Sequence, residues 1–354
     1  MDSLEVDKHI VAEIRTKVAG LLERAGFVED ALSVRLQLVD GELDNFVFCN
    51  KENKGTSRKI MGGILPHEEK KSRIRKPGWL KLKLPAGPDY ELVRSLISNS
   101  ALHTVCQEAR CPNQWECFAR RTATFLIMGP RCTRNCRFCA VQHGPLGPPD
   151  PEEPFRVAEA AQSLGLRYVV VTSVTRDDLP DGGAANFAAT IRAIRKKIPD
   201  VQIEVLIPDF QGRLEPLHTV VEARPDVLNH NIETIERLYP SVRPGAAYKR
   251  SVQLLRRAKG CDASLPIKSG LMLGLGESRE EMHQTLRDLL DAGCTLLTLG
   301  QYLQPSADHI PVERFVTPAE FDNWKEIALA MGFSRVASGP LVRSSYHAKD
   351  LFGV

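Results

Sequence analysis

The chain has 354 residues, of which 43% are apolar, and its 47 basic and 44 acidic residues give a net charge of +3. This length supports one large folded unit with a smaller appendage, and so balanced a charge gives no electrostatic indication of nucleic-acid binding. Because no long apolar run and no apolar signal-peptide segment occur, we expect a soluble, cytoplasmic protein without a membrane partner. In that reducing compartment, the nine cysteines are not expected to form disulfides, and the clustered ones are expected to bind metal or carry out redox chemistry.

The N-terminal part of the chain has the pattern of a small separate module. Apolar residues recur at helical spacing over residues 4–25, and two β-like runs follow, LSVRLQL and NFVF, with a DG turn between them. We therefore expect a helix-plus-hairpin appendage over residues 1–55, whose role the sequence leaves unassigned. Residues 56–75 form a basic linker, which we interpret as a solvated surface; a docking patch for an acidic partner is the alternative.

From residue 121 onward, short β-rich runs alternate with helical stretches. The runs are TATFLIM, YVVVTS, VQIEVLI, DVLNHNI, IKSGLML and CTLLTLG, and helices are predicted over 155–164, 184–197, 248–258 and 279–292. This alternation predicts parallel strands, and six of them suit an α/β fold of the partial (β/α)6 TIM-like type over residues 121–335. A doubly wound sheet is the alternative. In both folds, ligands bind at the carboxyl ends of the strands.

Six of the nine cysteines lie in two tight groups of three. The earlier triad, with the spacing C-x4-C-x5-C, is Cys106, Cys111 and Cys117. The later triad follows the first strand directly, has the spacing C-x3-C-x2-C, and is Cys132, Cys136 and Cys139. A structural zinc site uses four ligands, usually in paired knuckles, and a thioredoxin-like pair would leave one cysteine of the later triad unused. The spacing therefore favours iron–sulfur clusters, and three thiolates on a four-iron cubane leave one iron open.

The later triad, with Phe138 before its last cysteine, resembles the radical S-adenosylmethionine (SAM) superfamily. Further segments are similar, block by block and in order, to the lipoyl synthase family, among them HTVCQEARCPNQWEC, VVVTSVTRDDLPDGGA, NHNIET, LTLGQYLQPS and VASGPLVRSSYHA. The similarity covers roughly residues 76–349 and leaves residues 1–60 outside. It implies a radical SAM barrel with an N-terminal extension over 76–120, which carries the earlier triad, and a C-terminal segment over 336–354.

The resemblance also implies the ligands of two [4Fe–4S] clusters. The later triad matches the cluster that cleaves SAM, and the earlier triad matches an auxiliary cluster whose fourth ligand is a serine, here Ser345 of RSSY. A serine oxygen binds iron less well than a thiolate, so it is a plausible ligand to lose when the cluster opens. Arg343 is expected to stabilise or gate that end of the cluster. Capping of backbone groups by the serines of RSSY is the alternative, purely structural interpretation.

For SAM itself, the resemblance indicates contacts at the carboxyl ends of the strands. The expected contacts are Thr172, Ser173, Asp178, Glu204 and Asn231. Glu204 is included because a charge inside a β-run needs a partner or a ligand. The alternative for Asn231 is a hydrogen bond that begins a loop. We interpret His230 and His347 as structural histidines, and Glu277 as a cap of the turn before a helix.

The family's reaction inserts two sulfur atoms, at C6 and C8, into an octanoyl chain held on a lysine of a carrier domain. No side-chain base can take a proton from these carbons, so a cofactor must supply radical chemistry, and the auxiliary cluster supplies the sulfur. The implied partners are octanoylated carrier domains (2-oxoacid dehydrogenase E2 or glycine cleavage H protein), a ferredoxin or flavodoxin electron donor, and an iron–sulfur carrier that rebuilds the cluster. Another sulfur-inserting radical SAM enzyme, of the biotin synthase or methylthiotransferase type, and a non-catalytic zinc-binding module are the alternatives.

Overall fold

The computed structural model describes residues 32–39, 42–50, 75–80, 88–144 and 146–353. The chain divides into two compact units, Met1–Lys71 and Ser72–Val354. The helix predicted over residues 4–25 and residues 56–74 of the predicted linker lie outside the described residues. Within the described residues, no helix is both long and apolar enough to cross a membrane.

The first unit contains the predicted hairpin. Strands β1 (Leu32–Val39) and β2 (Glu42–Asn50) pair antiparallel, with Leu32 opposite Asn50. The register shifts between Gln37 and Leu38, which is the pattern of a β-bulge.

The second unit is built on an eight-stranded sheet. In chain order its strands, with one separate short pair, are β3 (His103–Thr104), β4 (Thr124–Ile127), β5 (Arg131–Cys132), β6 (Gln142–His143), β7 (Tyr168–Ser173), β8 (Gln202–Leu206), β9 (Val227–Asn229), β10 (Ile267–Leu273), β11 (Leu296–Gln301) and β12 (Arg335–Gly339). The order across the sheet is β12-β11-β10-β9-β8-β7-β4-β3, while β5 and β6 pair only with each other. All neighbours are parallel except β3, which runs antiparallel to β4 at one edge.

This arrangement confirms the predicted partial barrel. The six predicted strands are β4 and β7 to β11, neighbours in the sheet in chain order, and the sheet ends in two edges instead of closing. A seventh parallel strand, β12, was not predicted, because its sequence RVASG is short and rich in small residues. The predicted boundary at residue 335 falls at the start of this strand.

Helices cover the sheet between successive strands. They are α1 (Pro88–Asn99), α2 (Val105–Glu108), α3 (Gln114–Ala119), α4 (Glu153–Ser163), α5 (Ala184–Lys197), α6 (Leu214–Glu222), α7 (Tyr239–Val242), α8 (Tyr248–Cys261), α9 (Arg279–Asp291), α10 (Pro318–Met331) and α11 (Ala348–Phe352). The four predicted helices are α4, α5, α8 and α9. Helix α10 was not predicted, although TPAE is a start signal: Thr317 and Glu320 form a capping box, with Pro318 in the first turn.

The two faces of the strands pack differently. On β7 and β8, alternate residues such as Val169, Val171, Ile203 and Val205 are fully buried in the main core shared with the helices. The other face of β7 looks into the barrel, where Tyr168 belongs to a separate small cluster. The strand face that points into the barrel is thus separate from the main core, and polar groups can lie there at the carboxyl ends of the strands.

Candidate functional site

A cavity of about 460 Å³ lies at the carboxyl ends of the parallel strands. Five of the six clustered cysteines line it, together with Arg343 and Ser345 from the C-terminal segment. The sixth, Cys117, is half-buried and interacts electrostatically with Cys106 and Cys111. The fold thus brings cysteines of both triads and Ser345 to one cavity.

The loop of the later triad is fixed to the neighbouring loops by its backbone. The Cys132 sulfur accepts hydrogen bonds from the amides of Arg134 and Thr175, at 3.4 and 3.3 Å. Farther along, the Arg137 amide donates to the Val242 carbonyl at 3.0 Å. Together these contacts fix the position of the Cys132 sulfur and of its loop.

A buried ion network holds the same loop from below. The Arg134 guanidinium binds both carboxylate oxygens of Asp177, at 2.6 and 2.9 Å, and donates to Asp209 Oδ1 at 2.6 Å. Arg250 donates to the other oxygen of Asp209 at 2.8 Å. Burial alone would raise the pKa of Asp209, but the hydrogen bond and charge of Arg134 outweigh it and hold this pKa well below its usual range. The network ties the cysteine loop to the loops after β7 and β8.

The earlier triad is joined to the C-terminal segment. Asn113, which lies between Cys111 and Cys117, donates from Nδ2 to the Leu341 carbonyl at 2.6 Å. The Tyr346 hydroxyl donates to Glu116 Oε2 at 2.9 Å. These contacts bring RSSY to the two short helices that carry the triad.

Burial disfavours the thiolate form of five of the six cysteines in the two triads. Burial raises the pKa of Cys106 and of Cys139 to about 12, and it also raises the pKa of Cys111, Cys117 and Cys136. Buried thiols hold their protons until a metal displaces them, so metal binding here would release protons. Among the described residues, no three Cys, His, Asp or Glu side chains are placed to hold a single metal ion. A cluster binds each thiolate at a separate iron, so its cysteines need not converge as closely as the ligands of one metal ion.

Three of the five predicted SAM contacts line the cavity: Thr172, Ser173 and Asn231. The Thr172 hydroxyl donates to the Leu206 carbonyl at 2.9 Å, so its hydrogen is already used. Ser173 Oγ and Asn231 Oδ1 are buried and have no hydrogen-bond partner among the described residues. Unpartnered buried polar atoms cost about 1–3 kcal/mol each, which fits a wall that contacts a polar ligand.

The other two predicted SAM contacts do not line this cavity in the described structure. Asp178 is exposed and is held by the Arg176 guanidinium, at 2.8 and 2.9 Å. Glu204 lies one layer below the cavity, because its side chain points into the barrel two residues before β8 ends. Its carboxylate binds Lys268 Nζ at 2.8 and 3.0 Å, and it accepts hydrogen bonds from Tyr168 and Asn229. The charge inside the β-run therefore has protein partners.

Sequence reasoning missed several charged residues of the cavity wall, among them Glu233 and Arg243. Glu233 lines the cavity in a left-handed conformation, with φ 67°, and its carbonyl accepts from the Met272 amide at 2.8 Å. Burial raises the pKa of Glu233. Arg243 also lines the cavity and donates to the Asn231 carbonyl at 3.0 Å. Glu233 could have been predicted, because it is an acidic residue two positions after Asn231 in NHNIET. Arg243 lies in a loop whose sequence gives no such signal.

Two structural interpretations agree with the geometry. His230 is buried, with Nδ1 2.8 Å from the Ile207 carbonyl and Nε2 2.9 Å from Ser251 Oγ. The Glu277 carboxylate accepts from the amides of Gly274 and Leu275, at 2.7 and 2.9 Å, and so caps the turn after β10.

Two protein-family models match this chain. The family model described as the radical SAM superfamily matches residues 126–289. The model described as the N-terminal domain of lipoyl synthase of the radical SAM family matches residues 25–111. This second match begins before residue 76, so it includes the hairpin that the sequence resemblance left outside.

The curated relatives include three proteins named lipoyl synthase. The one from Desulfotalea psychrophila is 59% identical over 280 residues, which cover 79% of this chain and 94% of that protein. The one from Rubrobacter xylanophilus is 54% identical, with 81% and 89% covered, and the one from Caldanaerobacter subterraneus is 58% identical, with 78% and 96% covered. Because relatives this similar share most of its length, the chain belongs to the lipoyl synthase family of the radical SAM superfamily.

Proposed function

We propose that this chain inserts two sulfur atoms, at C6 and C8, into an octanoyl chain that is attached to a lysine of a carrier domain. The observation that carries the proposal is one cavity lined by cysteines of both triads and by Ser345. Relatives at 53–59% identity are named lipoyl synthase, so another sulfur-inserting radical SAM enzyme or a zinc-binding module is not favoured.

Each triad would hold its own [4Fe–4S] cluster. When bound, two clusters and SAM would supply the hydrogen-atom abstraction and the sulfur that unactivated carbons require, with the electrons coming from the external donor. Cys132, Cys136 and Cys139 are three thiolates for one cluster and leave one of its irons open for SAM. The unpartnered oxygens of Ser173 and Asn231, with the Glu233 carboxylate, offer acceptors for the ammonium and hydroxyl groups of SAM.

The remaining cavity wall suits an alkyl chain. Val105, Leu126 and Met272 are apolar residues of the cavity wall. Burying an octanoyl chain against them stabilises the complex by about 0.8 kcal/mol per methylene, and it excludes water from the reacting carbons. The protein then fixes which carbons face each cluster.

Ser345 would be the fourth ligand of the auxiliary cluster, because it faces the cavity beside the earlier triad. Arg343 lines the same wall, where burial lowers the pKa of its guanidinium and its charge acts on Cys111. A cation there would stabilise negative charge on the cluster side of RSSY. The partners would be an octanoylated carrier domain, a ferredoxin or flavodoxin donor, and an iron–sulfur carrier.

The test separates the two triads by their products. Anaerobically reconstituted protein is incubated with SAM, reductant and an octanoyl-lysyl peptide, and both 5′-deoxyadenosine and sulfur-bearing peptide are measured by mass spectrometry. Cys136→Ala should abolish both products, and Ser345→Ala should retain SAM cleavage but lose most sulfur insertion. Cys261→Ala, a half-buried cysteine of α8, is the control and should change neither. Equal loss of both products in Ser345→Ala would contradict the division of roles.

A further inference from the structure

The segment after β12, here called the C-terminal strap (residues 340–353), joins the two ends of the barrel. Strand β12 ends at Gly339, at the carboxyl end of the sheet. At the other end of the strap, Leu351 of α11 packs with Val227 and Leu296, the first residues of β9 and β11. The strap therefore runs from the cavity to the amino ends of the strands.

Helix α11 is seated on the floor of the barrel. Ala348 and Phe352 cluster with Tyr168, the first residue of β7, and the rings of Tyr168 and Phe352 lie 5.9 Å apart. Tyr168 in turn donates to the buried carboxylate of Glu204 at 2.7 Å. The helix thus rests on side chains that are themselves fixed.

The strap is also held on both sides of Ser345. Before Ser345, the Leu341 carbonyl accepts from Asn113, and the Val342 carbonyl lies directly against Gly300, where a Cβ would collide with it. After Ser345, Tyr346 donates to Glu116 Oε2 at 2.9 Å. The serine lies in the short stretch between these contacts.

We propose that α11 is a positioning device for Ser345: its seat on the barrel floor sets where this serine stands relative to the earlier triad. The inference rests on the proposed function, in which Ser345 is the fourth ligand of the auxiliary cluster. A serine oxygen is a weak ligand for iron, so a small displacement breaks its bond while the three thiolates hold. Misplacement of about 1 Å can cost on the order of 100-fold in rate. Loosening α11 then reduces sulfur insertion and leaves SAM cleavage at the later triad.

A helix that served stability alone would behave differently. Its loss would lower both activities together, as any buried truncation in the barrel does. Leu289→Ala in α9 provides that comparison, because Leu289 is fully buried and belongs to the main core, away from the strap. Leu351→Ala is the test variant, and Leu351→Met is the conservative variant that refills the seat.

The first measurement needs no cluster. Hydrogen exchange of the full chain before reconstitution should be faster over residues 340–347 in Leu351→Ala than in wild type or Leu289→Ala. The second is the ratio of 5′-deoxyadenosine formed to sulfur inserted, after anaerobic reconstitution. We expect Leu351→Ala to raise this ratio roughly ten-fold or more, and Leu351→Met and Leu289→Ala to leave it near the wild-type value.

Two results would overturn the inference: an equal ratio in Leu351→Ala and Leu289→Ala, or unchanged exchange over residues 340–347. Phe352→Ala, which removes a half-buried ring, gives the same test if Leu351→Ala does not fold. Ser345→Ala is measured beside them. An unchanged ratio in that variant would instead reject the assignment of Ser345 as a ligand, and with it the function of the strap.

Discussion

Replacing Asp209 with Asn removes the central charge of the network under the later triad. Asp209 is fully buried and accepts from Arg134 at 2.6 Å and from Arg250 at 2.8 Å. The amide of Asn cannot accept from two guanidinium groups through both its terminal atoms. Arg134, whose side chain is 7% exposed, would keep only its pair with Asp177.

The size of the effect follows from burial. Removing one partner of a buried ion pair destabilises a protein by about 3–5 kcal/mol. Because Asp177 still neutralises Arg134, we expect the lower end, about 3 kcal/mol, and a fall in Tm of roughly 6 °C. The matched control is Asp150→Asn. Asp150 binds Arg156 at a similar distance, 2.7 Å, but is 50% exposed, so solvent screens this pair and its loss should lower Tm much less.

Acidity gives a second check on the same carboxylate. The folded-state pKa of Asp209 lies below its ordinary value. Its stabilisation is therefore complete above the ordinary pKa of about 3.9, and it is lost as pH falls below that value. The difference in Tm between wild type and Asp209→Asn should be full at pH 7 and should shrink below about pH 4.

The assay is thermal unfolding of both variants, followed by SAM cleavage after anaerobic reconstitution. Asp209→Asn should also lower SAM cleavage, because its network holds the loop between Cys132 and Cys136. If Asp209→Asn and Asp150→Asn lower Tm by the same amount, the buried network does not hold the loop as described.

Three further predictions follow from single contacts. In Gly300→Ala the new Cβ would collide with the Val342 carbonyl and displace the C-terminal strap, which should raise the ratio of SAM cleavage to sulfur insertion. Gly260→Ala, where a Cβ meets open space, should leave this ratio unchanged. Glu204→Gln should leave Lys268 buried without its counter-charge and lower the free energy of unfolding in urea by about 3 kcal/mol. The KM for SAM should stay unchanged, and a raised KM would mean that Glu204 contacts SAM. Burial lowers the pKa of His230 to about 4, near Arg243, Asp209 and Arg134, so His230 contributes stability that is complete above about pH 6.5 and is lost as pH falls toward 4. Unfolding at pH 4.5 should show a loss of about 2–3 kcal/mol that is missing in His230→Gln.

The elements of the barrel could be predicted because their signals are local. Runs such as YVVVTS combine β-branched composition with a length suited to a strand, and the cysteine spacing indicates clusters without any knowledge of the fold. Strand β12 was not predicted because it has only five residues, RVASG, and its small side chains carry little periodicity.

The polar residues of the cavity wall could be predicted only in part. Residues at strand ends, such as Ser173 and Asn231, were found because parallel strands end at one edge. The depth of a polar side chain in the barrel, at the cavity wall or below it, cannot be predicted from the neighbouring residues in the sequence. The partners of Glu204 are Tyr168, Asn229 and Lys268, which are 25 to 64 residues away and come from three other strands. Only the strand register shows that these four meet below the cavity.

The contact between Asn113 and Leu341 spans 228 residues of the chain. A ribosome that adds roughly 5–20 residues per second needs roughly 10–45 s to cover this interval. For most of that time, once Cys139 has been added, a nascent chain carries both cysteine triads but not yet Ser345. Under the proposed role of Ser345 as fourth ligand, translation therefore supplies all protein ligands of the later triad before those of the earlier triad.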